Sequence, residues 1–70
     1  MNNEKIIELI EAIVEDESIP EEYRNELEWI SYEDLQDGVD VKEVLENIQA
    51  NYPADIYPAK LKKLFDVVIN

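Results

Sequence analysis

Apolar residues recur along this chain at three- and four-residue spacing, and most of these runs follow a residue able to cap a helix. In the first, Ile6, Ile7, Leu9, Ile10, Ile13 and Val14 gather on one side of a helical wheel, with Asn2 or Asn3 placed to cap the start. The opposite side carries Glu4, Glu8, Glu11 and Glu15, whose spacing of four, three and four aligns them in a stripe. At 18–21 the stretch SIPE has the form of a capping box with proline in the first turn, so a second helix is expected to run through Tyr23, Leu27 and Ile30. Ser31 and Asp34 offer another box, opening a short piece through Leu35 that Gly38 ends. The alternative is one uninterrupted helix over 20–37; the break at Ser31 is preferred because serine interrupts an otherwise good helical run.

Asp40 opens a third stripe of Val41, Val44, Leu45, Ile48 and Tyr52, stopped by Pro53 because a residue before proline avoids the helical region. A tight connection, ADIY, leads to Pro58 and a last helix with Leu61, Leu64, Phe65 and Val68 facing inward. No run alternates apolar and polar residues as a half-buried strand would. The pattern predicts an all-α fold, a compact bundle or orthogonal array of four helices over about 4–16, 19–31 (extending to 37 if unbroken), 41–52 and 57–69. Residues 1–70 form a single acidic domain, with no internal repeat, low-complexity tract or linker.

Composition narrows the chemistry. Seventy residues with 46% hydrophobic content can build one core near the lower size limit, with room for a binding face and little for a deep catalytic cavity. Cysteine and histidine are absent, which removes disulfides, thiolate nucleophiles and the usual zinc ligands. The start, MNNEKIIELIEAIVEDE, interleaves acids with apolar positions and is expected to be neither a signal peptide nor a membrane span. A cytoplasmic location is the corresponding expectation.

Candidate metal and catalytic constellations fail on spacing. If Gly38 takes the sixth place of a calcium loop, places one, three, five and twelve fall on Glu33, Leu35, Asp37 and Val44, so two ligands are aliphatic. Glu22 and Glu26 have the residue types of a glycosidase pair, without a cleft to raise one pKa and hold a sugar. Ser18 and Ser31 are the only hydroxyl nucleophiles besides tyrosine, and no histidine can activate them. No enzyme activity, metal or cofactor is expected.

The net charge of -12 is what sets this chain apart. Positions 1–57 hold 17 acids against Lys5, Arg24 and Lys42, while 58–70 hold Lys60, Lys62 and Lys63 against Asp66. Such a body repels nucleic acid and anionic lipid, and three lysines are too few to reverse that, so neither direct nucleic-acid binding nor membrane binding is expected. Those lysines are better read as offsetting carboxylates of neighbouring helices. Acids on a helical stripe stand about 5–6 Å apart, a spacing that lets a rigid helical body occupy a groove built for phosphates. The ordinary reading is the solvated side of amphipathic helices, but such faces usually mix lysine with glutamate, and here almost no lysine is supplied.

Two short stretches resemble known families. EDESIP, at 15–20, resembles the inter-helix turns of HEAT-like and archaeal helical-hairpin proteins, which implies a helical hairpin and nothing about activity. NYPADIYP, at 51–58, resembles the Asp-x-Ile-Tyr-Tyr-Pro segment of the bacteriocin nuclease immunity proteins, small acidic four-helix proteins that bind a basic nuclease through that segment's acid and tyrosines. That resemblance reaches Asp55, Tyr57 and Pro58, with one tyrosine missing and the spacing shortened.

The expected function is a small acidic inhibitor or regulator that covers a basic surface of a partner protein, a nucleic-acid-binding protein or nuclease among the candidates. Phage counter-defence, host-takeover and nuclease immunity proteins, including DNA mimics, are the class analogy. Its candidate partner-binding residues are Glu8, Glu11, Glu15, Asp16, Glu17, Glu22 and Glu26, with Trp29, Asp55 and Tyr57 as further contacts. The alternative is a helical adaptor or self-associating domain using apolar contacts; either a monomer or a small homo-oligomer fits.

Overall fold

A computed structural model describes residues 3–69. Among these residues five α-helices follow one another: α1 (Asn3–Val14), α2 (Glu21–Leu27), α3 (Tyr32–Gln36), α4 (Val41–Asn51) and α5 (Ala59–Val68), with a 3-10 turn at Ala54–Ile56 before the last. There is no strand among the described residues, so the expected all-α class holds. The expected four helices become five because the second divides at Ser31, as the preferred reading had it.

Each helix buries the stripe its spacing marks. Ile6, Ile10 and Ile13 of α1, Tyr23 and Leu27 of α2, Val41, Leu45 and Ile48 of α4, and Leu61, Leu64, Phe65 and Val68 of α5 are all buried. Helix α1 lies most extensively along α5 and also touches α2 and α3, while α4 closes the far side against α2 and α5. The four longer helices therefore form a closed ring of contacts around one core, with α3 flanking α1. Among the described residues no charged or polar one is buried in that core. The accessible surface of 4537 Å² matches the ~4,500 Å² expected of a compact folded chain of this mass.

Helix ends show where local chemistry decides. Asn3 already lies within α1 rather than before it, and Asn2, the other candidate cap, lies outside the described residues. Helix α1 stops at Val14, two residues before the expected end, because Asp16 leaves the helix to accept hydrogen bonds from the Ser18 N–H at 2.9 Å and the Ser18 hydroxyl at 2.6 Å. That arrangement also cancels the expected capping box. Ser18 donates to Asp16 instead of accepting from the next helix, and Pro20 stands at the N-cap of α2 with no side-chain cap bond. Ile19 is buried between the two helices, and the Arg24 Nε donates to its carbonyl oxygen at 2.9 Å, tying α2 to the turn.

Helix α2 ends at Leu27 rather than at 31, though Ile30 still reaches the core. At Ser31 the expected box is complete. The Ser31 hydroxyl accepts from the Asp34 N–H at 3.2 Å, and the Asp34 carboxylate accepts from the Ser31 N–H at 2.9 Å. Gly38 closes α3 with φ +99°, a backbone conformation that disfavours a Cβ. There the Gly38 N–H donates to Leu35 O and the Val39 N–H to Asp34 O, the paired bonds of a Schellman ending. Asp40 caps α4 by accepting from the Lys42 N–H at 3.0 Å. Tyr52 leaves the helix in extended backbone before Pro53, and Pro58 serves as N-cap of α5 rather than sitting in its first turn.

Candidate acidic binding face

Four aromatic rings are spent on the core. Tyr23 meets Tyr52 and Tyr57 edge-on, at centroid distances of 5.1 and 5.9 Å, and Tyr57 stacks on Phe65 at 5.2 Å. The cluster joins α2, the end of α4 and α5. Burial raises the Tyr23 hydroxyl pKa, with Tyr57, Glu22 and Tyr52 adding to the effect, and burial alone raises that of Tyr57.

Tyr57 was expected at the surface as a partner contact, and it is buried, 8% exposed, with its hydroxyl donating to the Tyr52 carbonyl oxygen at 3.0 Å. It stands in extended backbone between the 3-10 turn and Pro58, outside α5, and its ring reaches the core against Tyr23 and Phe65. Of the immunity-protein resemblance, Asp55 alone remains as an exposed candidate contact, beside Ile56, which is 61% exposed.

Trp29 takes the opposite course. It is 53% exposed, and its ring contacts neither another aromatic nor a cation among the described residues. The reason lies in two parallel rows along α2 and its trailing turn. Tyr23, Leu27 and Ile30 form the inward row, while Glu22, Glu26 and Trp29 form a second with the same spacing, displaced by one residue onto the flank. Three residues beyond Trp29, Tyr32 is 40% exposed at the start of α3.

The carboxylates divide in the same manner. Glu8, Glu11 and Glu15 are exposed and point away from the buried Ile6, Ile10 and Ile13 of their own helix. Glu17 is exposed in the following turn, and Glu22 and Glu26 on α2. Among the described residues none of these six side chains makes a hydrogen bond or ion pair. Asp16 differs. Its second carboxylate oxygen accepts from the Lys60 ammonium at 2.7 Å. That bond, with those from the Ser18 hydroxyl and N–H, holds its pKa well below the ordinary carboxylate range. Sequence reasoning leaves Asp16 with no base nearer than Arg24; the partner it misses stands 44 positions away, and the only signal for it was the general expectation that the C-terminal lysines offset acids of other helices.

No group of three or more acids converges as a metal-ligand set among the described residues. A shallow groove of about 390 Å³ lies between α4 and α5, lined by Gln49, Ala54, Tyr57, Lys62, Phe65, Asp66 and Ile69. No helix of the described residues is long and apolar enough to cross a membrane. What the arrangement offers chemically is a rigid body with two rows of unpaired carboxylates, one ending in an exposed indole. No protein-family model, curated protein or solved structure matches this chain.

Proposed function

We propose that this protein binds a partner protein through its acidic helical faces and inhibits or regulates it by covering a basic, nucleic-acid-binding surface. One observation carries the reading: Glu8, Glu11, Glu15, Glu17, Glu22 and Glu26 are exposed on α1, α2 and the turn between them and have no partner among the described residues. A field of one sign held on a rigid scaffold speeds encounter with a cationic surface and weakens as salt screens it.

The test is affinity capture from a lysate with the wild-type protein and with a variant carrying Glu8→Gln, Glu11→Gln and Glu15→Gln, each at low and moderate salt. A basic protein should be retained by the wild type, with retention falling about tenfold in the variant or at the higher salt, the lower end of the range over which steering acts. Equal retention in all four conditions would overturn the proposal.

A second reading, a helical adaptor or self-associating domain, draws support from the exposed Trp29, Tyr32 and Ile56. It calls for a concentration-dependent dimer in light scattering that survives both the glutamine substitutions and salt.

A further inference from the structure

The flank of α2 brings together an unstacked indole and a row of unpaired acids, and that combination selects for one kind of cation. We infer that Glu22, Glu26 and Trp29 form an arginine-recognising seat, in which a partner's guanidinium lies on the Trp29 ring while Glu22 or Glu26 accepts its N–H groups. The inference rests on the proposed function above and names the side chain that the acidic body recognises first.

Three features of the structure converge on arginine. Trp29 is 53% exposed in a chain whose inward positions along α2 and the turn after it are already filled by Tyr23, Leu27 and Ile30, so about half of its surface is open to a partner. Glu22 and Glu26 stand one turn apart on α2, where such neighbours are about 5–6 Å apart, and Trp29 continues their spacing in the turn that follows the helix. A guanidinium is planar and weakly hydrated, and it can stack on an aromatic face while directing its N–H groups sideways to a carboxylate. An ammonium can take the ring or the acid, but its strong hydration and point-like charge make it a poorer fit for both.

The chain's own arginine does not occupy the seat. Arg24 lies on the other side of α2, with its Nε donating to the Ile19 carbonyl oxygen. An apolar occupant is disfavoured as well, because Glu28 and Glu33, close to Trp29 in sequence, are exposed carboxylates and the chain as a whole carries a net charge of -12. Charge complementarity therefore points to a cationic segment of a partner protein rather than to a second copy of this acidic chain.

Trp29 is the only tryptophan, so its emission reports directly on the seat. The probes are nona-arginine and nona-lysine peptides of equal charge, titrated at low salt while following tryptophan emission and, in parallel, the anisotropy of labelled peptide. Nona-arginine should perturb Trp29 emission and bind about fivefold more tightly than nona-lysine, the factor an exposed cation–π contact supplies. Trp29→Ala should abolish that preference while far-UV circular dichroism shows the fold intact. A Glu22→Gln, Glu26→Gln pair should weaken binding more than a Glu43→Gln, Glu46→Gln pair on α4, although both remove the same charge.

If nona-arginine binds in a salt-dependent way with no change in Trp29 emission, and the two glutamine pairs behave alike, the seat is wrong while the acidic-face reading stands. Binding that ignores salt and both glutamine pairs would overturn the acidic-face reading itself. A blue shift of Trp29 emission on raising the concentration of the protein alone would show a second copy covering the ring, and the arginine seat would again be overturned.

Discussion

The placement of Tyr57 separates a core role from a binding role, and a pair of substitutions measures it. Tyr57→Phe keeps the ring stacked on Phe65 and edge-on to Tyr23 and removes only the hydroxyl that donates to the Tyr52 carbonyl oxygen at 3.0 Å. A neutral intramolecular hydrogen bond is worth about 1 kcal/mol net, so the midpoint of thermal unfolding should fall by about 4–8 °C for a domain of this size. Tyr57→Ala removes the ring as well, and truncating a buried aromatic costs about 3–5 kcal/mol. A chain of 70 residues is held by roughly 3.5–10 kcal/mol at ordinary stability per residue. The alanine variant should therefore be mostly unfolded or nearly so, and the phenylalanine variant folded. Circular dichroism at 222 nm is the appropriate assay, because an indole already half in water changes little on unfolding. If Tyr57→Ala melted within a degree or two of the wild type, the ring would not be part of the core and would return to the list of surface contacts.

Two further predictions concern the turns. Ser31→Ala should lower stability by about 1 kcal/mol, the usual worth of an N-cap, while Ser18→Ala should leave the amide protection of the first turn of α2 unchanged, because its hydroxyl donates to Asp16 and caps nothing there; loss of that protection in hydrogen exchange would restore the capping box at 18–21. Because the Asp16 pKa lies below its ordinary 3.8 in the folded state, the bonds to Lys60 and Ser18 contribute fully above that pH and are lost as pH falls below it. The melting-temperature gap between the wild type and Asp16→Asn should accordingly be open at about pH 6 and narrow toward about pH 2.5, whereas a gap independent of pH would refute the pairing.

The features that could be read in advance are those in which neighbouring residues decide the outcome together. Ser31 with Asp34, Gly38 after Gln36, and Asp40 before Val41 each complete a cap within a few positions, and the stripes of α1, α4 and α5 repeat often enough to mark their inner sides. Ser18 misled because two local chemistries compete for one hydroxyl, and the nearer carboxylate of Asp16 prevails over the N-terminus of α2. The pairing of Asp16 with Lys60 depends on how α5 lies along α1, which no local pattern encodes. Of the two aromatic assignments, one had a usable signal in register. Trp29 keeps step with Glu22 and Glu26 and so falls off the inward row of α2, whereas Tyr57 stands in extended backbone outside α5, where helical arithmetic does not reach, and its burial follows from tertiary packing against Tyr23 and Phe65.

The acids also weigh on the fold they decorate. Glu4 and Glu8, Glu11 and Glu15, and Glu22 and Glu26 are like-charge neighbours at four-residue spacing, and each such pair costs a helix about 0.2–0.5 kcal/mol where a lysine in one place would have gained a similar amount. Three such reversals forgo about 1–3 kcal/mol, a substantial share of the stability available to so small a domain. The chain does hold lysines that could have been placed there. Lys42, Lys62 and Lys63 stand exposed on α4 and α5 instead, while Lys60 is committed to the α1–α2 turn through Asp16. Because no charged group is buried among the described residues, nothing in the core calls for the carboxylates on α1 and α2. Solvation alone would be served as well by mixed charge, which would also leave the helices more stable; a cationic partner would not be, and that asymmetry is the physical ground for reading these rows as a binding face.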